Sequence, residues 1–421
     1  MGNGIWVGSM ELSAGDTVTA LSTPAGGCHD GARVLVCMHG APLGYVSVPL
    51  QPADTLPARV RAAAEAKLAE PLAYHQSCSR GIAPDSDWLS RVICPRGFSW
   101  QAETGLTVVI CTRERAAELR ECLRSVLRLS YEPLEVLVVD NAPSDDGTRA
   151  AVAEFAALDS RIRYVLERKP GLSNARNSGL AAASNDLVGF TDDDVRVDPG
   201  WASALVAGFA ADPQTACVTG LVASRSLETA PERYFDSRYP WGEVFFPRRF
   251  DLAEHRDLSP GYPFIAGKFG TGANFAVRRS FIGQLGHFDP LLGAGSPGKG
   301  GEDLDMFVRT ILAGGRIAYL PSALVWHQHR SDYASLSEQL YGYGHGLGAY
   351  IAKRLMTREV SVAAMAAGVG RLGVLATRAR RAERDTQVTV SSGKRLALTE
   401  ARGVVAGAVR YRRMARSGLR G

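Results

Sequence analysis

Three consecutive carboxylates, Asp192, Asp193 and Asp194, come just after the apolar run 187–190. Neighbouring carboxylates raise each other's pKa, so such a triplet is unfavourable unless a cation lies among its oxygens. The simplest candidate is a divalent metal that prefers oxygen ligands, Mg²⁺ or Mn²⁺. A solvated acidic turn after a strand is the alternative that this stretch, taken by itself, leaves open.

The elements that must position these carboxylates alternate between strand and helix. Apolar and β-branched runs predict strands at 106–111, 134–139, 162–165 and 187–190, and a helical segment follows each of the first three. This rhythm predicts a doubly wound α/β sheet. Polar residues gather at the carboxyl ends of these strands, which is where such sheets bind ligands.

Short segments along residues 104–330 match a known family in its own order. They are V-V-I-C-T-R-E, L-V-V-D-N, K-P-G-L-S-N-A-R-N-S-G, F-T-D-D-D, G-T-G-A-N-F, G-G-E-D-L-D and V-W-H-Q-H. In these segments the chain resembles the inverting family 2 glycosyltransferases. The resemblance implies a GT-A fold, which is a doubly wound, Rossmann-like mixed sheet, and a reaction that uses a nucleoside-diphosphate sugar.

The resemblance assigns the ends of the first two strands to the nucleotide. Thr112, Arg113 and Glu114 would contact the base and the ribose together with Asp140. The alternative for Thr112 and Asp140 is that they cap the helices that follow them.

A lysine–proline–glycine turn before the next helix is expected to contact the nucleotide as well. Gly171 allows close backbone approach, Ser173 is predicted to cap the helix, and Asn174 follows. Arg176 lies in the first helical turn, where a cation opposes the helix dipole, so we expect a nucleotide or a carboxylate beside it. Pairing with Asp192 is the alternative.

The resemblance identifies Asp192-x-Asp194 as the D-x-D element that binds the metal, Mn²⁺ or Mg²⁺. Asp194 would ligate the metal, Asp192 would contact the ribose or reach the metal, and Asp193 would be structural or line the nucleotide-sugar site. His327 would be a further ligand. Period-two strand geometry places His329 on the same face, and a surface role without a ligand is the alternative for both histidines.

Two further segments are assigned to catalysis and to the sugar. Asp303 would be the general base that takes the proton of the acceptor hydroxyl, and Glu302 would help to position the acceptor. Stabilisation of a helix dipole is the alternative explanation of this acidic pair. Gly272 and Asn274 would contact the donor sugar or the acceptor, and a β-bulge without a ligand is their alternative.

These assignments predict a metal-dependent inverting glycosyltransferase. Its donor would carry UDP, dTDP or GDP, and its acceptor would be a cell-envelope polysaccharide or a lipid-linked glycan. Three rival classes were weighed. A phosphatase of the D-x-D-x-T/V type would need Thr or Val where Arg196 stands, and a nucleotidyltransferase would need glycines in the segment 112–115. A non-catalytic nucleotide-sugar sensor is the third.

The length of 421 residues allows one large domain with appendages. We expect a small α+β module of unknown role at 1–100 and a GT-A domain at 104–330. Within that domain, 104–198 would bind the nucleotide and 199–330 the sugar and acceptor. A helical, basic region is expected at 331–421.

The seven cysteines contain no C-x-x-C pair, so the sequence favours neither a zinc site nor a disulfide framework. Another set of possible ligands is Cys28, His29, Cys37 and His39, and we do not expect it to bind a metal. Unpaired cysteines fit a reducing cytoplasm.

The basic character of the chain belongs to its end. From Arg371 onwards there are 13 Lys and Arg against 3 Asp and Glu. The stretch 360–377 is too short and too weakly apolar for a confident membrane span. A basic, partly apolar end suits peripheral contact with anionic lipid, and a disordered tail is the alternative. Since the tail has no interleaved stacking aromatics beyond Tyr411, we expect no nucleic-acid partner. The first ten residues, which lack a basic start and a long apolar run, predict no signal peptide.

Overall fold

The N-terminal residues form a small sheet with helices packed on one face. The computed structural model describes residues 4–15, 17–21, 29–51, 55–80, 87–98, 104–257, 261–264, 266–358 and 390–417. The elements of this N-terminal module are β1 (Gly4–Glu11), β2 (Val18–Ala20), β3 (His29–Met38), β4 (Ala41–Val48), α1 (Leu56–Lys67) and α2 (Ala69–Ser79). The strand order is β2-β1-β3-β4, with β1 parallel to β3 and the other pairs antiparallel.

Alternation along β3 explains how this module joins the rest of the chain. Val34 and Val36 face a core that they share with Val60 of α1, whereas Leu35 joins the core of the main domain. Successive residues of a strand point to opposite faces of its sheet. Both faces of the small sheet are therefore buried, one by its own helix and one by the main domain.

A larger mixed sheet follows. Its described strands are β5 (Leu106–Thr112), β6 (Leu134–Asn141), β7 (Ile162–Glu167), β8 (Leu187–Asp192), β9 (Val195–Val197), β10 (Thr215–Ser224), β11 (Arg248–Phe250), β12 (Asn274–Arg278) and β13 (Arg316–His327). Their order is β11-β13-β10-β12-β8-β5-β6-β7, and β9 pairs with β13. Strands β5 to β8 are parallel, whereas β12 lies antiparallel between β8 and β10.

Helices cover both faces of this sheet. The remaining described helices are α3 (Asp87–Val92), α4 (Ala116–Val126), α5 (Gly147–Ala156), α6 (Leu172–Ala182), α7 (Trp201–Ala210), α8 (Ala230–Arg238), α9 (Arg279–Leu285), α10 (Glu302–Leu312), α11 (Tyr333–Met356) and α12 (Val390–Arg416). One buried core lies under α3, α4, α5 and α7, and the other lies under α6 and α10. The predicted fold class, a doubly wound mixed sheet with a small α+β module and a helical C-terminal region, is confirmed.

The C-terminal helices α11 and α12 pack at backbone distance. A Cβ atom added to Gly344 would lie 2.0 Å from the carbonyl oxygen of Glu400, and one added to Gly407 would lie 1.9 Å from the carbonyl oxygen of His345. Gly348 and Gly403 meet the facing helix in the same way. Only glycine fits at these positions, so the two helices form one tightly packed pair.

This helix pair fixes the start of α10. Gly301 precedes α10 with a φ of 84°, and a Cβ there would lie 2.6 Å from the carbonyl oxygen of Gly346 on α11. Asp305 of α10 is fully buried and binds Lys353 and Arg354 of α11. The first turn of α10 is therefore held from both its backbone and its side chains.

The C-terminal region offers no membrane-spanning segment within the described residues. None of the helices that the structure describes is long and apolar enough to cross a bilayer. The stretch 360–377 and Arg371, on which part of the sequence argument for a basic tail depended, lie outside the described residues.

Candidate active site

The turn between β8 and β9 brings the acidic triplet to the ligand-binding edge of the sheet. Asp192 ends β8, and β9 pairs with the end of β13 so that Val195 lies opposite His327. The Nε2 atom of His327 lies 3.4 Å from Oδ1 of Asp194. One ligand atom from each of Asp192, Asp194 and His327 lies within 4.8 Å of the other two. We call these three residues the carboxylate–histidine cluster.

The donor set of the carboxylate–histidine cluster fits a divalent metal. Two carboxylates and one imidazole suit Mn²⁺ and Mg²⁺, and the residues predicted as ligands are those that converge. Burial raises the pKa of Asp192, and the adjacent charge of Asp194 raises it further. Burial acts on Asp194 in the same direction, but the positive charges of His327 and Arg115 outweigh it and hold the pKa of Asp194 below its usual range.

Arg115 is a site residue that the sequence analysis missed. Its Nη1 donates to Asp193 Oδ1 at 2.6 Å, and its Nη2 donates to Asp194 Oδ2 at 3.0 Å. The prediction chose Arg113 in the same segment, but that side chain is 48% exposed, and its Nε lies 4.0 Å from the carboxylate of Glu114. The sequence shows two arginines after β5, Arg113 and Arg115. Which of the two side chains faces the acidic triplet depends on the backbone conformation just before α4.

The loops after β5 and β6 are joined by the residues predicted to hold the nucleotide. Thr112 donates its hydroxyl to Asp193 Oδ2 at 2.7 Å, and α4 begins without a side-chain cap. The carboxylate of Glu114 accepts from the backbone N–H of Ser144 at 3.2 Å. Thr112 and Asp193 are both buried, so they shape the acidic turn from within.

Asp140 keeps hydrogen-bonding capacity at the end of β6. It is fully buried, and its Oδ2 accepts from the hydroxyl of Tyr164 at 2.8 Å. No described residue donates to its Oδ1. Burial raises the pKa of Asp140, and the neighbouring hydroxyls of Tyr164 and Thr148 oppose that rise. A buried acceptor without a partner is uncommon, and a base or ribose donor would satisfy it.

The glycine turn before α6 has the backbone freedom that was predicted. Gly171 adopts a φ of 121° and donates its N–H to Asn141 at 2.8 Å. Asn174 is partly exposed, and its amide donates to the carbonyl of Pro170. The predicted cap by Ser173 was wrong, because its hydroxyl donates instead to the carbonyl of Leu292 and the helix has no side-chain cap.

Arg176 has the carboxylate neighbour that its position requires, but the partner is Glu302. Its Nη1 donates to Glu302 Oε1 at 2.6 Å and its Nη2 donates to the carbonyl of Gly272 at 2.9 Å, whereas Asp192 lies 3.9 Å away. The guanidinium is 2% exposed. We therefore assign Arg176 to joining Gly272, Glu302 and Asp192 rather than to direct nucleotide contact.

The acidic pair at the start of α10 divides into two environments. Glu302 is buried against Arg176, and burial raises its pKa while Arg176 opposes the rise. Asp303 is partly exposed, and its Oδ2 accepts from the N–H of Gly272 at 2.8 Å. A Cβ on Gly272 would lie 3.1 Å from that same oxygen. Glu302 is therefore enclosed with Arg176, whereas Asp303 keeps a partly exposed carboxylate.

Asn274 does not have the free amide that a sugar contact needs. It is fully buried, its Oδ1 accepts from Trp201 Nε1 at 2.8 Å, and its Nδ2 donates to the carbonyls of Leu221 and Ala323. These bonds tie β12 to β10, β13 and α7. Because a sugar could reach Asn274 only by displacing them, we leave it out of the proposed site.

A hydrogen-bonded chain orients His327. His329 Nδ1 lies 3.3 Å from His327 Nδ1, and His329 Nε2 lies 2.7 Å from the hydroxyl of Ser224, which donates to Asp236. If each histidine donates outward along this chain, the Nε2 of His327 keeps its lone pair and faces Asp194. Metal-binding histidines are usually oriented by a bond from their other ring nitrogen. Asp236 also binds Arg33 of the N-terminal module, so that module supports this series of hydrogen bonds to His327.

Comparison with known families decides the class of this domain. Residues 107–284 match the model of glycosyl transferase family 2. This part of the chain is therefore a family 2 glycosyltransferase domain. The family match spans β5 to α9 and therefore includes the acidic triplet, Arg115, Asp140 and Arg176.

The similarity to named relatives covers only part of each relative's length. The pre-mycofactocin glycosyltransferase of Mycobacterium tuberculosis is 30% identical over 241 residues, which are 56% of this chain and 46% of that protein. The glucosyl-dolichyl phosphate glucuronosyltransferase of Haloferax volcanii is 27% identical over 187 residues, 44% of this chain and 56% of that protein. The chain thus spans about half the length of these relatives.

A solved mannosyltransferase from Pyrobaculum calidifontis, in complex with GDP-Man and Mn²⁺, is similar at 19% identity and a TM-score of 0.49. The similarity covers 83% of this chain and 97% of that one.

The C-terminal part of the site lies beyond the matched residues of the family 2 domain. Asp303 and His327 both follow residue 284, where the family match ends. Their place at the site depends on geometry. β13 brings His327 next to Asp194, and the backbone of Gly272 bonds both Arg176 and Asp303, which lies at the start of α10. Their roles remain predictions.

Proposed function

We propose that this chain is a metal-dependent inverting glycosyltransferase that moves a sugar from a nucleoside-diphosphate sugar to an acceptor hydroxyl. The observation that carries the proposal is the convergence of Asp192, Asp194 and His327 within 4.8 Å at the carboxyl edge of a family 2 domain. A metal held there would act as a Lewis acid towards the departing diphosphate. The donor set does not separate Mn²⁺ from Mg²⁺.

The residues around the cluster supply the rest of the donor site. Asp140 offers its unpaired Oδ1 to the base or ribose, and Thr112 and Arg115 hold Asp193 and Asp194 in place. Gly171 and Asn174 bring the start of α6 towards the nucleotide. Since Arg113 and Glu114 are the exposed side chains of the same loop, they are proposed as peripheral nucleotide contacts.

Asp303 is the proposed general base. Its Oδ2 is held by the Gly272 N–H, while the side chain stays partly exposed next to the group formed by Arg176 and Glu302. The proton of the acceptor hydroxyl would pass to Asp303 as the oxygen attacks the anomeric carbon. Because attack comes from the face opposite the diphosphate, the configuration of the sugar is inverted in one displacement.

A thermal-shift panel with UDP, dTDP and GDP, each with and without Mn²⁺, tests the donor site. We expect one base to give the largest stabilisation, and only with the metal, since a ligand stabilises in proportion to the logarithm of its saturation. Asp194→Ala should remove the metal-dependent part. A shift of equal size in Asp194→Ala would contradict the proposed site.

Product analysis then separates the rival activities. Release of free nucleoside diphosphate from the donor supports sugar transfer, whereas release of pyrophosphate would indicate a nucleotidyltransferase. Tight donor binding with turnover that is absent in both the native chain and Asp303→Asn would indicate a nucleotide-sugar sensor.

The described part of the basic C-terminal region supports a lipid-linked acceptor or peripheral contact with anionic lipid. A cavity of about 870 Å³ is lined by residues of α12 and of the loop before α10. Apolar side chains stand exposed on α12, with Val405 at 67% and Val409 at 45%, and Arg402 and Arg410 flank them. Apolar and basic residues on one helical face bind anionic interfaces.

Sedimentation with vesicles tests this contact. We expect binding to vesicles that contain an anionic phospholipid and much less to neutral ones, with loss on Arg402→Gln combined with Arg410→Gln. Equal recovery of the native chain and this double variant with anionic vesicles would remove the proposal.

A further inference from the structure

Three residues from separate parts of the N-terminal region meet away from the proposed active site. His39 lies in the two-residue turn between β3 and β4, His75 lies on α2, and Cys94 follows α3. One ligand atom from each lies within 4.8 Å of the others. We call them the histidine–cysteine cluster. The sequence analysis gave His39 little weight as a ligand and did not connect it with His75 or Cys94.

The spacing of the cluster matches the edges of a tetrahedral zinc site. Zinc binds imidazole nitrogen at about 2.0–2.1 Å and thiolate sulfur at about 2.3 Å, so tetrahedral angles place two nitrogens about 3.3 Å apart and nitrogen and sulfur about 3.5 Å apart. His39 Nδ1 lies 3.3 Å from His75 Nε2. The same Nδ1 lies 3.5 Å from Cys94 Sγ. Both edges agree with the expected separations.

Backbone hydrogen bonds hold the turn that carries His39. Its φ is 56°, in the left-handed region where histidine, asparagine and aspartate are enriched among non-glycine residues. The carboxylate of Glu11 accepts the N–H groups of His39 and Gly40 at 2.8 and 2.9 Å, which stabilises this turn. These bonds fix the position from which the imidazole of His39 faces His75 and Cys94.

Two of the three side chains in this cluster are buried. His75 is 2% exposed and Cys94 is 4% exposed. The cluster contains a thiol and two imidazoles, a set that suits zinc better than Mn²⁺ or Mg²⁺.

We propose that His39, His75 and Cys94 bind a zinc ion, with water at the fourth position. The ion would join the β3–β4 turn and α2 to the segment that leads into β5. It would tie the N-terminal module to the main domain at the end opposite to the contact between Arg33 and Asp236. This site is independent of the proposed transfer reaction, because none of its ligands belongs to the carboxylate–histidine cluster.

Metal analysis of the purified full chain tests the proposal. After incubation with Zn²⁺ and removal of excess, we expect one bound equivalent in the native chain by elemental mass spectrometry. Cys94→Ser, which is nearly isosteric, should lose it, and His75→Ala should lose it too. Cys78→Ser on the same helix α2 and Asp194→Ala in the other cluster serve as matched controls and should retain zinc.

Substitution with Co²⁺ gives a second readout that does not depend on activity. A thiolate-to-cobalt charge-transfer band is expected in the native chain and should vanish in Cys94→Ser while it persists in Asp194→Ala. Absence of bound zinc in the native chain overturns the proposal. Zinc that persists in Cys94→Ser, or that disappears only in Asp194→Ala, overturns it as well.

Discussion

The carboxylate–histidine cluster and the histidine–cysteine cluster each bring together three side chains that can hold a metal, but their surroundings differ. The first has arginines nearby: Arg115 binds Asp194, and Arg176 lies 3.9 Å from Asp192. The second has Glu11 close by, yet that carboxylate is occupied by three backbone N–H groups, those of Ser13, His39 and Gly40. Arginines that balance the charge of the carboxylates suit the proposed binding of an anionic nucleotide sugar. Two imidazoles and a thiol, two of the three buried, suit an ion that stays bound.

Their places in the fold differ in the same sense. The first cluster lies where parallel strands end, and its residues come from β8, the following turn and β13, all within one sheet. The second comes from a hairpin turn, a helix and a connecting segment, which a bound ion would join. Ligands that a sheet already fixes can exchange their metal, whereas ligands on separate elements gain stability from keeping it.

Among the substitutions at the carboxylate–histidine cluster, Asp194→Ala should cause the largest loss of activity. Loss of a Lewis acid worth several kcal/mol predicts a fall in kcat/KM of about 10³-fold or more. Asp186→Ala, at the opposite end of β8, is the matched control and should retain most activity. Steady-state assays of donor turnover provide the measurement, and unchanged turnover in Asp194→Ala would falsify the assigned site.

Asp303→Asn should affect chemistry without affecting the metal. Removal of a general base predicts a loss of about 10²–10⁴-fold in kcat. The amide keeps the shape of the side chain and can still accept the Gly272 N–H. Mn²⁺ affinity, measured by titration calorimetry, should stay within error of the native value. A parallel loss of metal affinity would assign Asp303 to the metal site instead.

Ser224→Ala should weaken metal binding by a smaller amount. The hydroxyl connects His329 to Asp236, and loss of such an orienting partner typically costs about 10–100-fold in metal affinity. We expect a higher Mn²⁺ requirement with kcat largely recovered at saturating metal. Ser226→Ala, also buried and two residues away, is the control. If both variants behave alike, the hydrogen bonds that connect Arg33 and Asp236 to His327 have no positioning role.

Acidification should release the metal from the carboxylate–histidine cluster. Burial opposes protonation of His327, but Asp194 outweighs it and raises the pKa of His327. Metal and proton compete for this imidazole, so Mn²⁺ affinity should fall as pH drops through that raised pKa, by at most about tenfold per pH unit for the one proton. In His327→Gln, which has no titrating ring, the same titration should show a flatter dependence.

Asn274→Ala should show the smallest effect on turnover and a clear effect on stability. The substitution leaves Trp201 Nε1 and two carbonyls without their partner, at a cost of about 1–3 kcal/mol for each unsatisfied buried group. Denaturant unfolding should reveal the loss, while the KM for the donor should not change. A raised donor KM at unchanged stability would restore Asn274 as a sugar contact.

Local sequence predicted the parts of the site that local structure controls. The strand ends at Asp140 and Asp192 followed from apolar runs that stop at polar residues. A strand was predicted at 323–329, whereas β13 begins earlier, at Arg316, and ends at His327. Which of Arg113 and Arg115 turns inward was not predictable, because it depends on a left-handed residue, Glu114 with a φ of 55°, between them.

Long-range pairs were beyond the reach of the sequence. The partner of Arg176 is 126 residues away, and helix-dipole reasoning could demand a carboxylate without naming Glu302. The same applies to the histidine–cysteine cluster. The sequence grouped His39 with its neighbours in the chain, yet His29 pairs with Glu228. Cys28, another member of that group, lies outside the described residues.

The glycine seam between α11 and α12 limits what evolution or design can change there. At Gly344, Gly348, Gly403 and Gly407 a hydrogen atom is the largest substituent that fits. Even one added methyl group would act as a wedge, and the displacement would pass through Gly346 to the first turn of α10. Conservative edits far from any substrate could therefore misalign Asp303, so this seam sets the tolerance of the proposed base to mutation.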